Sequence, residues 1–155
     1  MKSLIVWIVI SVTGVGAVLW LGPKYFENIT TIRQVADASN LKQVELGKAV
    51  YSQNCASCHG DNLEGQPNWR SQLPSGGLPA PPHDETGHTW HHSDQLNFKY
   101  TKFGGQSIAP KGFKSNMPGF KSQLSDEEIW ASLAFIKSNW PLKIRRRHAK
   151  VNSTQ

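Results

Sequence analysis

Cys55 and Cys58, within "NCASCHGDNLEG" at 54–65, are the only cysteines in the chain, and His59 directly follows the second. Thiols at this spacing have four ordinary uses: a redox dithiol, half of a zinc site, a disulfide, or attachment of haem. Each demands something different of the remaining chain, so the motif limits what the chain can fold into. A thioredoxin-like dithiol wants a βαβ setting, and no stretch here reads as a convincing strand. Structural zinc needs a second ligand pair; His88, His91 and His92 are present, but at no Cys2His2 spacing. A disulfide across two residues would be strained and would leave His59 without a role. Haem fits all three residues. Each thiol can form a thioether with one vinyl group, and the following histidine comes to lie under the iron as an axial ligand.

The rest of the chain agrees, because it offers too little core of its own. Three helices are predicted. "LKQVELGKAVYSQN" at 41–54 can be capped by Ser39 or Asn40, with Val44, Gly47, Val50 and Tyr51 on one face. "SDQLNFKYTKFGG" at 93–105 has Ser93 as its cap, Leu96, Tyr100 and Phe103 on one stripe, and glycine at its end. "LSDEEIWASLAFIKSNWP" at 124–141 is the clearest, with a capping box of Ser125 and Glu128 and an apolar face of Ile129, Leu133 and Ile136, flanked by Trp130 and Phe135. Residues 60–92 hold most of the nine prolines and show almost no apolar periodicity. Short helices joined by long polar loops bury too little surface to offset chain entropy. A large apolar cofactor at the centre resolves the deficit.

The ends carry different information. From Leu4 to Leu21 no residue is charged, and 18 residues at about 1.5 Å rise give about 27 Å of helix, close to a bilayer core. Trp7 and Trp20 lie near its two ends, as interfacial rings do. "VGA" at 15–17 would suit a signal peptidase, but "VLWLG" continues the apolar run, which favours a retained transmembrane anchor over 1–22. Residues 23–40 read as a polar tether behind Pro23, reaching roughly 60 Å if fully extended. The formal charge of +6 comes mostly from "KIRRRHAK" at 143–150, which supplies five of the 17 lysines and arginines and leaves 12 against 11 acids elsewhere. A nucleic-acid binder would carry that charge on its folded body. The basic tail, 142–155, reads most plainly as a solvated, disordered end. Its rival reading is docking to anionic headgroups or to an acidic partner face. Deleting 143–150 is expected to leave the haem spectrum intact.

A second iron ligand comes from "SNMPGF". Met117 is the only methionine besides the initiator, and it lies in a loop stiffened by Pro118 and opened by Gly119. A lone methionine in such a loop makes poor core, so iron ligation is favoured over gap-filling. His83, His88, His91 or His92 would instead give a bis-histidine haem of lower potential.

"GKAVYSQNCASCHG", "NMPGF" and "LSDEEIWASLAFIKSNWP", in that order across about 41–141, resemble a class I c-type cytochrome, in particular the membrane-anchored bacterial monohaem type. The resemblance implies a mostly α cytochrome c fold of short helices wrapped round one covalent haem c, here with an N-terminal transmembrane helix. It implies a crossing of the first and last helices, with Gly47 and Tyr51 meeting Leu133 and Phe135. Cys55, Cys58, His59 and Met117 would bind the haem, the last two through iron. A proline carbonyl would hold the His59 Nδ1; Pro79, Pro81 and Pro82 are all candidates. The enlarged loop around "GHTWHH" makes Trp90 or His88 a candidate donor to a haem propionate, and His91 with His92 a remote candidate for copper.

A closed His/Met iron leaves no position for a small-molecule substrate, so the expectation is a one-electron carrier and not an enzyme. A peroxidase, a haem-based sensor and a metal chaperone are the rivals; each needs an open iron, a signalling domain or a free histidine cluster. In the family, haem c is attached outside the bacterial cytoplasmic membrane, which implies a single-pass protein with its haem domain on the periplasmic side. The implied partners are redox complexes: a cytochrome bc-type donor and a terminal oxidase or other reductase as acceptor. The alternative is an electron-entry haem subunit of a larger oxidoreductase or oxidase complex. No nucleic acid is expected among the partners.

Overall fold

The computed structural model describes residues 35–154, and all of them lie in one compact unit. The transmembrane anchor expected over 1–22, and the start of the tether, lie outside the described residues. Among those described, no helix is long and apolar enough to cross a membrane.

Helix α1 (Leu41–Asn54) starts where Asn40 turns to an extended backbone and its side chain accepts a bond from the Gln43 N–H. Asn40 is therefore the cap, and Ser39 bonds instead to Asp37. The helix buries Gly47, Val50 and Tyr51, the predicted face. A single turn, α2 (Ala56–His59), follows at once. A long loop then runs to a short 3-10 turn, Thr89–His91. Helix α3 (Asp94–Phe103) is capped by Ser93, and the one-turn α4 (Gly105–Ile108) follows it across Gly104. Helix α5 (Asp126–Ser138) begins with the full capping box: Ser125 accepts from the Glu128 N–H, and the Glu128 carboxylate accepts from the Ser125 N–H. No strand occurs among the described residues.

The core forms where α1 crosses α5. A Cβ on Gly47 would come 1.9 Å from the Ala131 carbonyl oxygen, so only glycine lets the two backbones meet here. The Tyr51 and Phe135 rings pack alongside, 5.3 Å between centroids. The predicted partner Phe135 is thus in place. The small residue opposite Gly47 is Ala131, four residues earlier on the same face, while Leu133 turns into the core cluster. On another face of α5, Trp130 stacks on Phe98 of α3 at 4.4 Å. That contact corrects the expected α3 stripe. The helix buries Phe98 and Thr101, and Phe103 is left exposed.

Two boundaries also move. The segment assigned to the tether is fixed to the domain from Val35 onward: Ala36 is buried and its carbonyl accepts from Lys137 Nζ, while Gln43 reaches back to the Val35 carbonyl and the Asp37 N–H. The expected disordered tail is instead helix α6 (Leu142–Ser153), beginning directly after Pro141. Ile144 packs on the core cluster and His148 is only 1% exposed, its ring edge-on to Trp140. Its imidazole Nε2 bonds the His92 carbonyl at 3.0 Å, and Asn152 exchanges two bonds with Asp94, one to its N–H and one from its own amide to the carboxylate. The cations of this segment therefore stand on an ordered helix.

Candidate haem site

The α1–α2 junction sets the geometry of the motif. The Cys55 carbonyl accepts from both the Cys58 and the His59 N–H, at 3.1 and 2.9 Å, so the three residues wrap one tight turn. Both thiols are free; Cys55 is half-buried and Cys58 exposed. Burial and the neighbouring Cys58 push the Cys55 thiol up to about 11, so it rests as a neutral thiol. Gly60 closes the turn at φ 82°, and its carbonyl accepts the Tyr51 hydroxyl at 3.0 Å. The helix crossing and the cysteine turn are thereby tied together.

His59 is buried, and its Nδ1 lies 2.8 Å from the Pro81 carbonyl. Of the three candidate prolines, Pro81 is the partner. The carbonyl can only accept, so Nδ1 carries the proton and Nε2 keeps its lone pair. Burial holds the imidazole below its ordinary pKa, with the Pro81 bond offsetting part of that. Among the described residues Nε2 makes no hydrogen bond, which leaves its lone pair uncommitted there. A neutral imidazole with an uncommitted Nε2 beside two free thiols is the donor set that an attached haem needs. The residues fit the group.

Met117 is held from a separate part of the fold. Its carbonyl accepts from the Gly105 N–H at 3.0 Å and its N–H donates to the Ser115 hydroxyl at 3.3 Å. Gly119 permits the close approach expected of it, since a Cβ there would meet the Phe103 carbonyl carbon at 2.7 Å. The side chain is half-buried. The structure thus brings Cys55, Cys58 and His59 onto one turn and pins Met117 by its backbone on α4.

The enlarged loop is built of stacked pairs. His83 lies on the His59 ring, His88 on Trp69, and His91 on Trp90. No group of three metal-ligating side chains occurs among the described residues, which leaves the copper reading without a built site. The Trp90 Nε1–H donates to the Glu85 carbonyl at 3.3 Å, so its single donor is already engaged and does not serve a propionate. Sequence reasoning missed the part played by His83, whose only signal was its position two residues past Pro81.

A helical domain that sets two thiols and a histidine on one attachment turn defines a binder of covalent haem. A family model described as cytochrome c matches residues 44–140, and the chain belongs to that family. It carries covalently bound haem c. Neither the curated proteins nor the solved structures contain a match to this chain.

Proposed function

We propose that this chain is a membrane-anchored one-electron carrier whose haem iron would be held by His59 Nε2 and Met117. The observation that carries the reading is the bond from His59 Nδ1 to Pro81, which commits one ring nitrogen and leaves the other as a neutral ligand of fixed tautomer. Bound haem c supplies an iron that alternates between ferrous and ferric states. The chain's own residues do the rest. Cys55 and Cys58 tether the group, Pro81 sets the basicity of His59, and the Gly105 and Ser115 bonds present Met117 with little freedom to leave. A thioether ligand favours the reduced state and places the potential in the positive range.

With His59 and Met117 both on the iron, no position would be left for a small-molecule substrate. The apolar run 4–21 would hold it in a bacterial cytoplasmic membrane with the haem domain on the periplasmic side. A tethered carrier meets nearby membrane complexes at high effective concentration. Its donor would be a quinol-oxidising cytochrome bc-type complex, its acceptor a terminal oxidase or another periplasmic reductase.

A redox-titrated visible spectrum of the membrane-bound protein tests the ligation. The expected result is one reversible one-electron transition, a methionine-to-iron charge-transfer band in the ferric state, and no carbon monoxide binding in the ferrous state. Ready binding of carbon monoxide would overturn it, because an open iron belongs to an enzyme or a sensor.

A further inference from the structure

His83 has no part in the ligation just described, yet its ring and backbone are held on several sides close to the attachment turn. Its ring lies flat on that of His59, 3.9 Å between centroids and 23° between planes. Its Nδ1 is 2.7 Å from the Thr89 hydroxyl. The backbone is fixed on both sides: the His83 N–H donates to the Leu63 carbonyl at 2.7 Å, and its carbonyl accepts the Trp140 indole N–H, also at 2.7 Å. The Tyr51 ring stands edge-on at 6.2 Å. Four separate segments therefore converge to place one imidazole against another.

The two contacts on His59 constrain different motions. A hydrogen bond at Nδ1 fixes one point of the ring, but hydrogen-bond angles are broad and permit the plane to tilt about that point. A flat neighbour at van der Waals distance opposes that tilt, because rotation of either ring drives its edge into the other. We propose that His83 is a positioning residue that holds the plane of the His59 ring, with Thr89 holding His83 in turn and Pro81 fixing the ring's position. The inference rests on the reading of His59 as an iron ligand. Partners of an axial histidine beyond its hydrogen bond then belong to the same orienting shell.

The test uses the full-length, haem-loaded protein in the ferric state, read by low-temperature electron paramagnetic resonance, whose g-values report the plane of an axial imidazole. His83→Ala removes the flat neighbour; the largest g feature is expected to broaden and shift as the His59 plane spreads over a range. His83→Phe restores a flat ring without the Thr89 bond and should recover most of the wild-type line. Thr89→Val keeps the stack and removes its tether, and should fall between. If His83→Ala loses its haem, Thr89→Val, which is nearly isosteric with the original, carries the comparison. A His83→Ala or Thr89→Val spectrum that superposes on wild type would overturn the proposal even if the variant melts at lower temperature, since that outcome describes packing alone. A wild type without the low-spin signal and the methionine band would instead sink the ligation reading, and the positioning role with it.

Discussion

Gly47 stands where no other side chain fits, because the Ala131 carbonyl occupies the place of a Cβ. Gly47→Val would force α1 and α5 apart, and the expected cost is at least roughly 1–3 kcal/mol, the range for overpacking a close-packed core. Chemical denaturation of the haem-loaded protein measures it. Cys55→Ala and Cys58→Ala each remove one thioether, so haem should be extracted by acid acetone from the double variant and retained by wild type. Met117→His replaces the thioether by an imidazole and should lower the midpoint potential; an unchanged midpoint would mean that the sixth ligand lies elsewhere. The shared turn of Cys55, Cys58 and His59 was legible in the sequence because chemistry dictates their spacing: one turn must present two thiols and an imidazole together. Pro81 was not separable from Pro79 and Pro82. All three offer carbonyls within four positions, and the one that reaches His59 is chosen by the path of the loop, which is pinned where the His83 N–H meets the Leu63 carbonyl. His83 itself was unreadable as a neighbour of His59, since the stack joins residues 24 apart through a loop without periodicity.

At the scale of elements, α1 and α5 announced themselves through caps and apolar spacing, while α6 did not. Its segment is rich in cations and poor in apolar residues, which reads as solvated chain. What makes it a docked helix is tertiary: one buried histidine between Trp140 and the His92 carbonyl, and one asparagine on Asp94. His148→Ala should accordingly destabilise the domain by about 2–4 kcal/mol, since it empties a buried site and leaves its polar neighbours without partners. The haem spectrum should persist, because α6 forms no hydrogen bond to Cys55, Cys58, His59 or Met117. The same histidine gives the docking a pH dependence. It faces Asp94 Oδ1 at 3.5 Å, with Lys137 on the other oxygen of that carboxylate and Asn152 beside its Nδ1. Burial lowers the His148 pKa, against the opposing pull of Asp94, so the folded state binds fewer protons here than the unfolded chain does. Its contribution to stability is whole above the ordinary histidine value of about 6.5 and is lost as the pH falls below it. His148→Phe keeps a ring against Trp140 and removes the titration. The variant should be less stable near neutrality, yet its melting temperature should fall less steeply than that of wild type on acidification below about pH 6.5. Parallel curves would place the acid sensitivity in other groups.

For the whole molecule, the deficit of apolar core in the sequence was the clue to the cofactor, and the architecture bears on where that cofactor is held. Among the described residues the folded unit reaches back to Val35, with Ala36 buried and its carbonyl accepting from Lys137. The sequence alone left 35–40 in the tether, because "VADAS" carries no helical or apolar pattern and is held by side chains reaching from α1 and α5. The structural boundary makes the proposed anchor testable without damage to the haem domain. A chain beginning at Val35 keeps every contact described for the site; exported and matured, it should be recovered as a haem-containing protein with the wild-type visible spectrum. The full chain should remain with the membrane fraction through high salt and through alkaline carbonate. Salt distinguishes the apolar run from the exposed cations of α6, since attachment through Lys143, Arg145, Arg146, Arg147 and Lys150 alone would be screened over a Debye length of about 3 Å at 1 M salt. Release by salt would transfer membrane attachment to that basic helix. Release by carbonate alone would rule out a spanning segment. Retention through both, with release on removal of residues 1–34, is the result that a transmembrane anchor requires.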